Sequence, residues 1–172
     1  MRRTSQAAGP TRTRGHRPTR SRLRPQGATL GNELTDVYLV DTSVWVDFVR
    51  GRDAPHVVLL RELLSNPLSV SVTHLVYMEV LQGARDPAAQ ARLKDYFDGQ
   101  HFVTFKEPMA SHAAAARMYL DCRQRGVTIR SAIDCVLAQY AMEFNLTLLH
   151  HDRDFLRIAG VIPRFRQQSF LQ

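Results

Sequence analysis

Lysine is nearly absent from this 172-residue chain, which has only Lys94 and Lys106. Cysteine is equally scarce. Cys122 and Cys135 stand without any CxxC, which excludes a disulfide scaffold and a cysteine-based zinc site and fits a reducing, cytoplasmic setting. No apolar run approaches the ~18 residues that a bilayer span needs, so no membrane helix is expected. No apolar h-region follows the first basic residues, so no secretory signal is expected either. Acidic residues are missing from the first 32 positions. What is present is ordinary for a folded protein: 44% apolar and 23% charged residues, enough for one sizeable core.

The formal charge of +7 is unevenly divided. Residues 1–32 carry eight arginines and no acid, whereas residues 33–172 carry fifteen basic and sixteen acidic side chains and sum to −1. The basicity therefore belongs to the N-terminal stretch, and the pI is no argument for a nucleic-acid-binding domain. Residues 1–32 are rich in Thr, Ser, Gly and Pro and have too little apolar material to offset the entropy of ordering. They are expected to be a disordered, Arg-rich tail. Three roles suit it: a solvated extension, an arm that neutralises RNA phosphates at any sequence, or an organelle presequence. Pro10, Pro18 and Pro25 argue against the amphipathic helix that a presequence needs.

From residue 36 the pattern changes. Val37–Val40 reads as a short buried strand, and Asp41-Thr42-Ser43 supplies helix-start chemistry for a helix from Val44 to Arg50, ended by Gly51. A second helix runs from about 53 to 65. Leu68–Val72 alternates with period two and reads as a strand. A helix from Thr73 to Gln82 is stopped by Gly83, and another covers 87–97. Phe102–Phe105 is a short strand, followed by a long Ala-rich helix to Arg125, closed by Gly126. Helix 131–144, strand 146–149, helix 152–159 and a weak last strand within 164–170 complete the chain. Short buried strands alternating with helices predict an α/β domain with a central parallel sheet between two helical layers. In such sheets, sites form at the carboxyl ends of the strands.

Acids gather at those ends. Asp41 follows the first strand, and Asp152 and Asp154 follow strand 146–149. Glu79 lies on helix 73–82 beside Leu75 and Val76. Asp134 opens a helix whose Ile133, Val136, Leu137, Tyr140, Ala141 and Phe144 form one apolar stripe. Each acid also has a structural explanation. Asp41 suits an N-cap, and Ser131-x-x-Asp134 fits a capping box. Glu79 suits a solvated helix face, and the last two suit a helix N-terminus. The set carries more weight than any member. Two carboxylates ~4 Å apart repel by about 4 kcal/mol at an effective dielectric near 20. Either one stays protonated or a cation lies between them, and an all-oxygen cage suits Mg2+ or Mn2+. His150-His151 is no metal pair, because neighbours on an extended chain point to opposite faces.

Four stretches occur together in this chain: Val37-Tyr38-Leu39-Val40-Asp41-Thr42-Ser43-Val44-Trp45, Tyr77-Met78-Glu79-Val80-Leu81-Gln82-Gly83-Ala84, Arg130-Ser131-Ala132-Ile133-Asp134-Cys135-Val136-Leu137-Ala138 and Leu148-Leu149-His150-His151-Asp152-Arg153-Asp154-Phe155. In kind and order they resemble the PIN-domain ribonucleases, specifically the VapC-type toxins of type II toxin–antitoxin pairs. The resemblance covers residues 36–172. It implies a three-layer α/β/α nuclease domain in which Asp41, Glu79, Asp134 and Asp152 form an acidic quartet holding one or two divalent ions. Asp154 is a fifth candidate ligand, and Thr42 and Ser43 orient the quartet. It also implies metal-assisted hydrolysis of RNA phosphodiesters to 5′-phosphate and 3′-hydroxyl ends. The implied partners are a cognate antitoxin and a second copy of the chain. Arg130 suits either an RNA phosphate contact or a brace for the acids. Arg153, like Arg85, Arg123 and Arg125, suits phosphate binding.

Alternatives of other kinds are a phospho-acceptor receiver domain, a PIN fold kept only for protein binding, and a PIN nuclease of RNA processing without an antitoxin. The first needs a lysine near the last strand, and neither lysine is there. The second is expected to lose acids that are all present here. The third differs in its partner, not in its chemistry.

Overall fold

The structure is a computed structural model that describes residues 36–66 and 68–171. The tail proposed for residues 1–32 lies outside the described residues. Five strands form one sheet: β1 (Tyr38–Val40), β2 (Val70–Val72), β3 (His101–Phe102), β4 (Thr147–Leu149) and β5 (Gln167–Gln168). Their order is β3-β2-β1-β4-β5, and every neighbouring pair is parallel. Seven helices connect them: α1 (Thr42–Val49), α2 (Pro55–Leu63), α3 (His74–Gln82), α4 (Pro87–Phe97), α5 (Pro108–Gln124), α6 (Ala132–Glu143) and α7 (Arg153–Val161).

The strand order dictates the layers. From β1 to β3 the chain steps in one direction along the sheet, and from β3 through β4 to β5 it steps back the other way. Right-handed crossovers in opposite directions deposit helices on opposite faces. Accordingly, α1 packs with α2 and α3, and α3 with α4, while α5, α6 and α7 pack among themselves. The direction reverses between β1 and β4, and the crevice at such a reversal is where α/β sheets place their sites.

The core explains the strands. Leu39, Val40, Val72, Leu148 and Leu149 are all fully buried, as expected of strands covered on both faces. Strand β2 is shorter than the expected Leu68–Val72 and is buried along its whole length. Ser71 within it shares a hydrogen bond of 3.1 Å with His101 Nδ1, its register partner on β3. Strand β3 is also shorter than expected: Val103 donates to the Val72 carbonyl, and pairing ends there. Helix α1 begins at Thr42, two residues earlier than expected, because Asp41 caps it. No helix among the described residues is long and apolar enough to cross a membrane.

Candidate active site

Asp41 leaves β1 and becomes the N-cap of α1. Its Oδ2 accepts from the Ser43 amide at 2.9 Å and from the Ser43 hydroxyl at 2.5 Å. Ser43 Oγ in turn accepts from the His151 amide at 3.0 Å, so one hydroxyl joins the end of β1 to the loop after β4. Thr42 donates its hydroxyl to Glu79 Oε2 on α3. Asp41 is buried, and burial pushes its carboxyl upward. The Ser43 bonds oppose that rise and the Glu79 charge adds to it.

Asp134 sits in the first turn of α6. Its side chain makes no hydrogen bond among the described residues, and the reciprocal capping box does not form: Ser131 Oγ accepts from Ile133 instead. Burial, followed by the charges of Asp41, Asp152 and Asp154, pushes the Asp134 carboxyl up to about 7. Asp134 therefore feels acids from the ends of both central strands.

Asp152 caps α7, accepting from the Asp154 amide at 3.0 Å. Both its oxygens also accept from Arg130 Nη2, at 2.6 and 2.9 Å. Asp154 is differently placed. It is fully buried, its Oδ2 accepts from the Arg130 amide and Nε (both 2.9 Å), and its Oδ1 accepts from Arg157 at 2.5 Å. Burial alone would raise its carboxyl, but the arginine bonds outweigh burial and hold it below the ordinary value. With both oxygens taken by arginine donors, Asp154 anchors Arg130 and Arg157. Of the two roles open to Arg130, the geometry shows the brace.

Arg153 is exposed and has no ion-pair partner among the described residues. It opens onto a cavity of about 440 Å3 that Arg130, His151, Asp152, Arg157 and Leu171 also line. Three residues escaped sequence reasoning. Arg157 needed the Asp154 contact to be noticed. Asp47 and His56 form a buried pair, Oδ2 to Nε2 at 2.9 Å, and His151 stacks on His56. A charged residue at 47, set within the apolar run of α1, was the available signal.

The donors around Asp41 are hard carboxylate oxygens, with no cysteine among them, and that chemistry fits a hard divalent cation. The uncompensated Asp134 fits it as well. As they stand, no three His, Cys, Asp or Glu side chains among the described residues are gathered tightly enough to hold an ion.

Comparison with known proteins gives a consistent picture. The PIN domain family model matches residues 38–161. The VapC ribonuclease Mb1587 of Mycobacterium bovis is 32% identical over 124 residues, covering 72% of this chain and 92% of that protein. Ribonuclease VapC11 of Mycobacterium tuberculosis matches with the same figures. Among solved structures, VapBC2 from Rickettsia felis bound to a promoter DNA fragment superposes with a TM-score of 0.60 at 18% identity, covering 78% of this chain and 99% of that one. DNA-bound VapBC from Salmonella typhimurium gives 0.60 at 15% identity, covering 79% and 99%. At such identities the structures show the shared fold. The chain thus belongs to the PIN-domain family, among the VapC ribonucleases.

Proposed function

We propose that the chain is a divalent-metal-dependent endoribonuclease and the toxin of a toxin–antitoxin pair. The observation that carries this reading is the crowding of acids at the β1/β4 reversal, with Asp134 left uncompensated among Asp41, Asp152 and Asp154. Asp41, Glu79, Asp134 and Asp152 are the residues that would hold the cation, Mg2+ or Mn2+. A bound divalent ion supplies the charge that acidifies an attacking water and stabilises the leaving oxygen of the phosphodiester.

The chain's own residues provide the positioning. Ser43 locks the Asp41 rotamer through two bonds to one oxygen. Thr42 does the same for Glu79. Arg130, anchored on buried Asp154, keeps Asp152 at the edge of the site. No nucleophilic side chain is required, so hydrolysis proceeds without a covalent enzyme intermediate; 5′-phosphate and 3′-hydroxyl ends are what the resemblance to the PIN-domain ribonucleases implies.

An acid-lined cleft also suits a basic inhibitor. Solved neighbours are VapBC complexes, and a cognate antitoxin whose arginine enters the acidic cleft fits the charge here. A homodimer is the expected state of the toxin, and RNA its substrate. The reading is tested by incubating the full chain with RNA and Mg2+ or Mn2+. Cleavage should appear with metal and vanish with chelator. Asp41→Asn should lower the rate by at least about a hundredfold while leaving the circular dichroism spectrum unchanged. Metal-independent cleavage, or near-wild-type cleavage by Asp41→Asn, overturns it.

A further inference from the structure

The cavity beside the acids has no part in the reaction as proposed so far. Its lining is Arg130, His151, Asp152, Arg153, Arg157 and Leu171, and its volume of about 440 Å3 is that of a small-ligand site. Three guanidinium groups face one carboxylate there, in a domain whose overall charge is close to balanced. Arg130 and Arg157 are committed to Asp152 and Asp154. Arg153 is exposed and pairs with no acid among the described residues, so its charge is open to an anion.

His151 supplies a different chemistry. Its ring is stacked on His56 with centroids 4.4 Å apart and planes inclined by 27°. His56 is 2% exposed and is held at Nε2 by Asp47, which is itself tied to Arg52 at 3.0 Å. The imidazole therefore has a rigid backing while the residue itself is exposed. Its backbone is equally fixed, since its amide donates to the Ser43 hydroxyl that bonds Asp41. Anything stacked on this ring stands one residue from Asp152 and one hydroxyl away from Asp41.

We propose that this cavity holds the nucleotide flanking the scissile phosphate, with its base stacked on His151 and its phosphate paired with Arg153. The proposal rests on the ribonuclease reading above. Single-stranded RNA is held in this manner, by aromatic faces for splayed bases and guanidinium groups for phosphates. Acidic peptides would use the arginines but leave the backed ring without a partner. Because stacking accepts any base face, the contact adds affinity and register without selecting a sequence. It also supplies locally the substrate capture that the balanced charge of residues 33–172 does not supply broadly.

The test uses the full chain and an RNA that the wild type cuts, with single abasic positions walked through the nucleotides on both sides of the cut. Binding is read by anisotropy of the labelled RNA on Asp41→Asn protein, and kcat/KM is read on the otherwise wild-type protein. One flanking abasic position should weaken binding by about 5- to 150-fold. His151→Ala should weaken intact RNA by a similar factor and then be indifferent to that abasic position. His151→Phe should restore both affinity and sensitivity. Arg153→Ala should weaken all sequences alike and flatten the log–log salt dependence by about 0.7. A merely structural His151 would leave the abasic penalty intact in His151→Ala, and that result overturns the proposal. So does a His151→Ala protein that binds and cuts intact RNA as the wild type does. A wild-type protein that cuts no RNA overturns the ribonuclease reading itself, and this proposal with it.

Discussion

Asp134 carries an electrostatic conflict whose titration makes stability depend on pH. Its carboxyl is pushed up to about 7, first by burial and then by neighbouring acids. The folded state therefore holds a proton that the unfolded chain releases near the ordinary carboxylate value, and stability falls as pH rises from about 4 to 7. At pH 8 without metal, the ionised carboxylate costs about 1–2 kcal/mol once its partial exposure is discounted. Asp134→Asn should recover that amount in chelator at pH 8, seen as a higher urea midpoint, and should gain nothing at pH 4. Equal midpoints at pH 8 would show that the crowding is not felt. Asp154 behaves in the opposite sense. Held low by Arg130 and Arg157, it contributes stability above the ordinary carboxylate value and loses it as pH falls through its folded value. Asp154→Ala should cost about 2 kcal/mol at pH 7, below the ~3–5 kcal/mol of a fully buried pair because both arginines are half or more in water, and much less at pH 3. Thermal melts at the two pH values would measure it. These two roles were not separable in the sequence, where both acids stand at helix starts. What divides them is Arg130, 24 residues from Asp154, and no local pattern reports so distant a bond.

Helices were more legible than strands, and the reason lies in how each ends. The bounds of α4 and α3 follow from Asp86-Pro87 and Thr73, whose side chains cap the first turn. Strands β3 and β5 pair over two residues each, because their length is set by the neighbouring strand rather than by their own side chains. Val103 and Phe105 are buried and apolar yet lie beyond the ladder. Two of the three glycine stops differ in a way that sequence hides. Gly126 has φ +72°, and around it the Gly126 amide bonds Arg123 and the Val127 amide bonds Cys122. That is a Schellman closure, which needs a left-handed residue. Gly83 ends α3 in the right-handed region at φ −77°, and an added Cβ would lie 3.4 Å from the Val80 carbonyl oxygen. Gly126→Ala should therefore destabilise by about 1 kcal/mol, whereas Gly83→Ala should stay within about 0.5 kcal/mol of wild type. Urea midpoints of the two variants give the comparison, and equal losses would contradict it.

For the whole molecule, the decisive fact is the strand order. Alternating strands and helices predicted a parallel sheet, and the acids' positions predicted a site at its carboxyl edge. The acids after the first strand and after strand 146–149 were expected to face each other there; that β1 and β4 are hydrogen-bonded neighbours where the connections reverse rests on strand order, which is a long-range property. That neighbourhood sets Asp41 and Asp152 just beyond the ends of adjacent strands, with Glu79 and Asp134 carried on α3 and α6 in opposite layers. If these acids hold a cation as proposed, its binding would offset their mutual repulsion and stabilise the domain. A cation present at a hundred times its dissociation constant adds about 2.7 kcal/mol, which for a domain of this size raises Tm by roughly 10 °C. The ion must displace the proton of Asp134, so its hold weakens as pH falls below about 7. Calorimetric scans with Mn2+ or Mg2+ should show the full rise at pH 8 and a smaller one at pH 6. Asp41→Asn should lose most of the rise at both. If either metal leaves the wild-type Tm unmoved at pH 8, the acids are not a cation site.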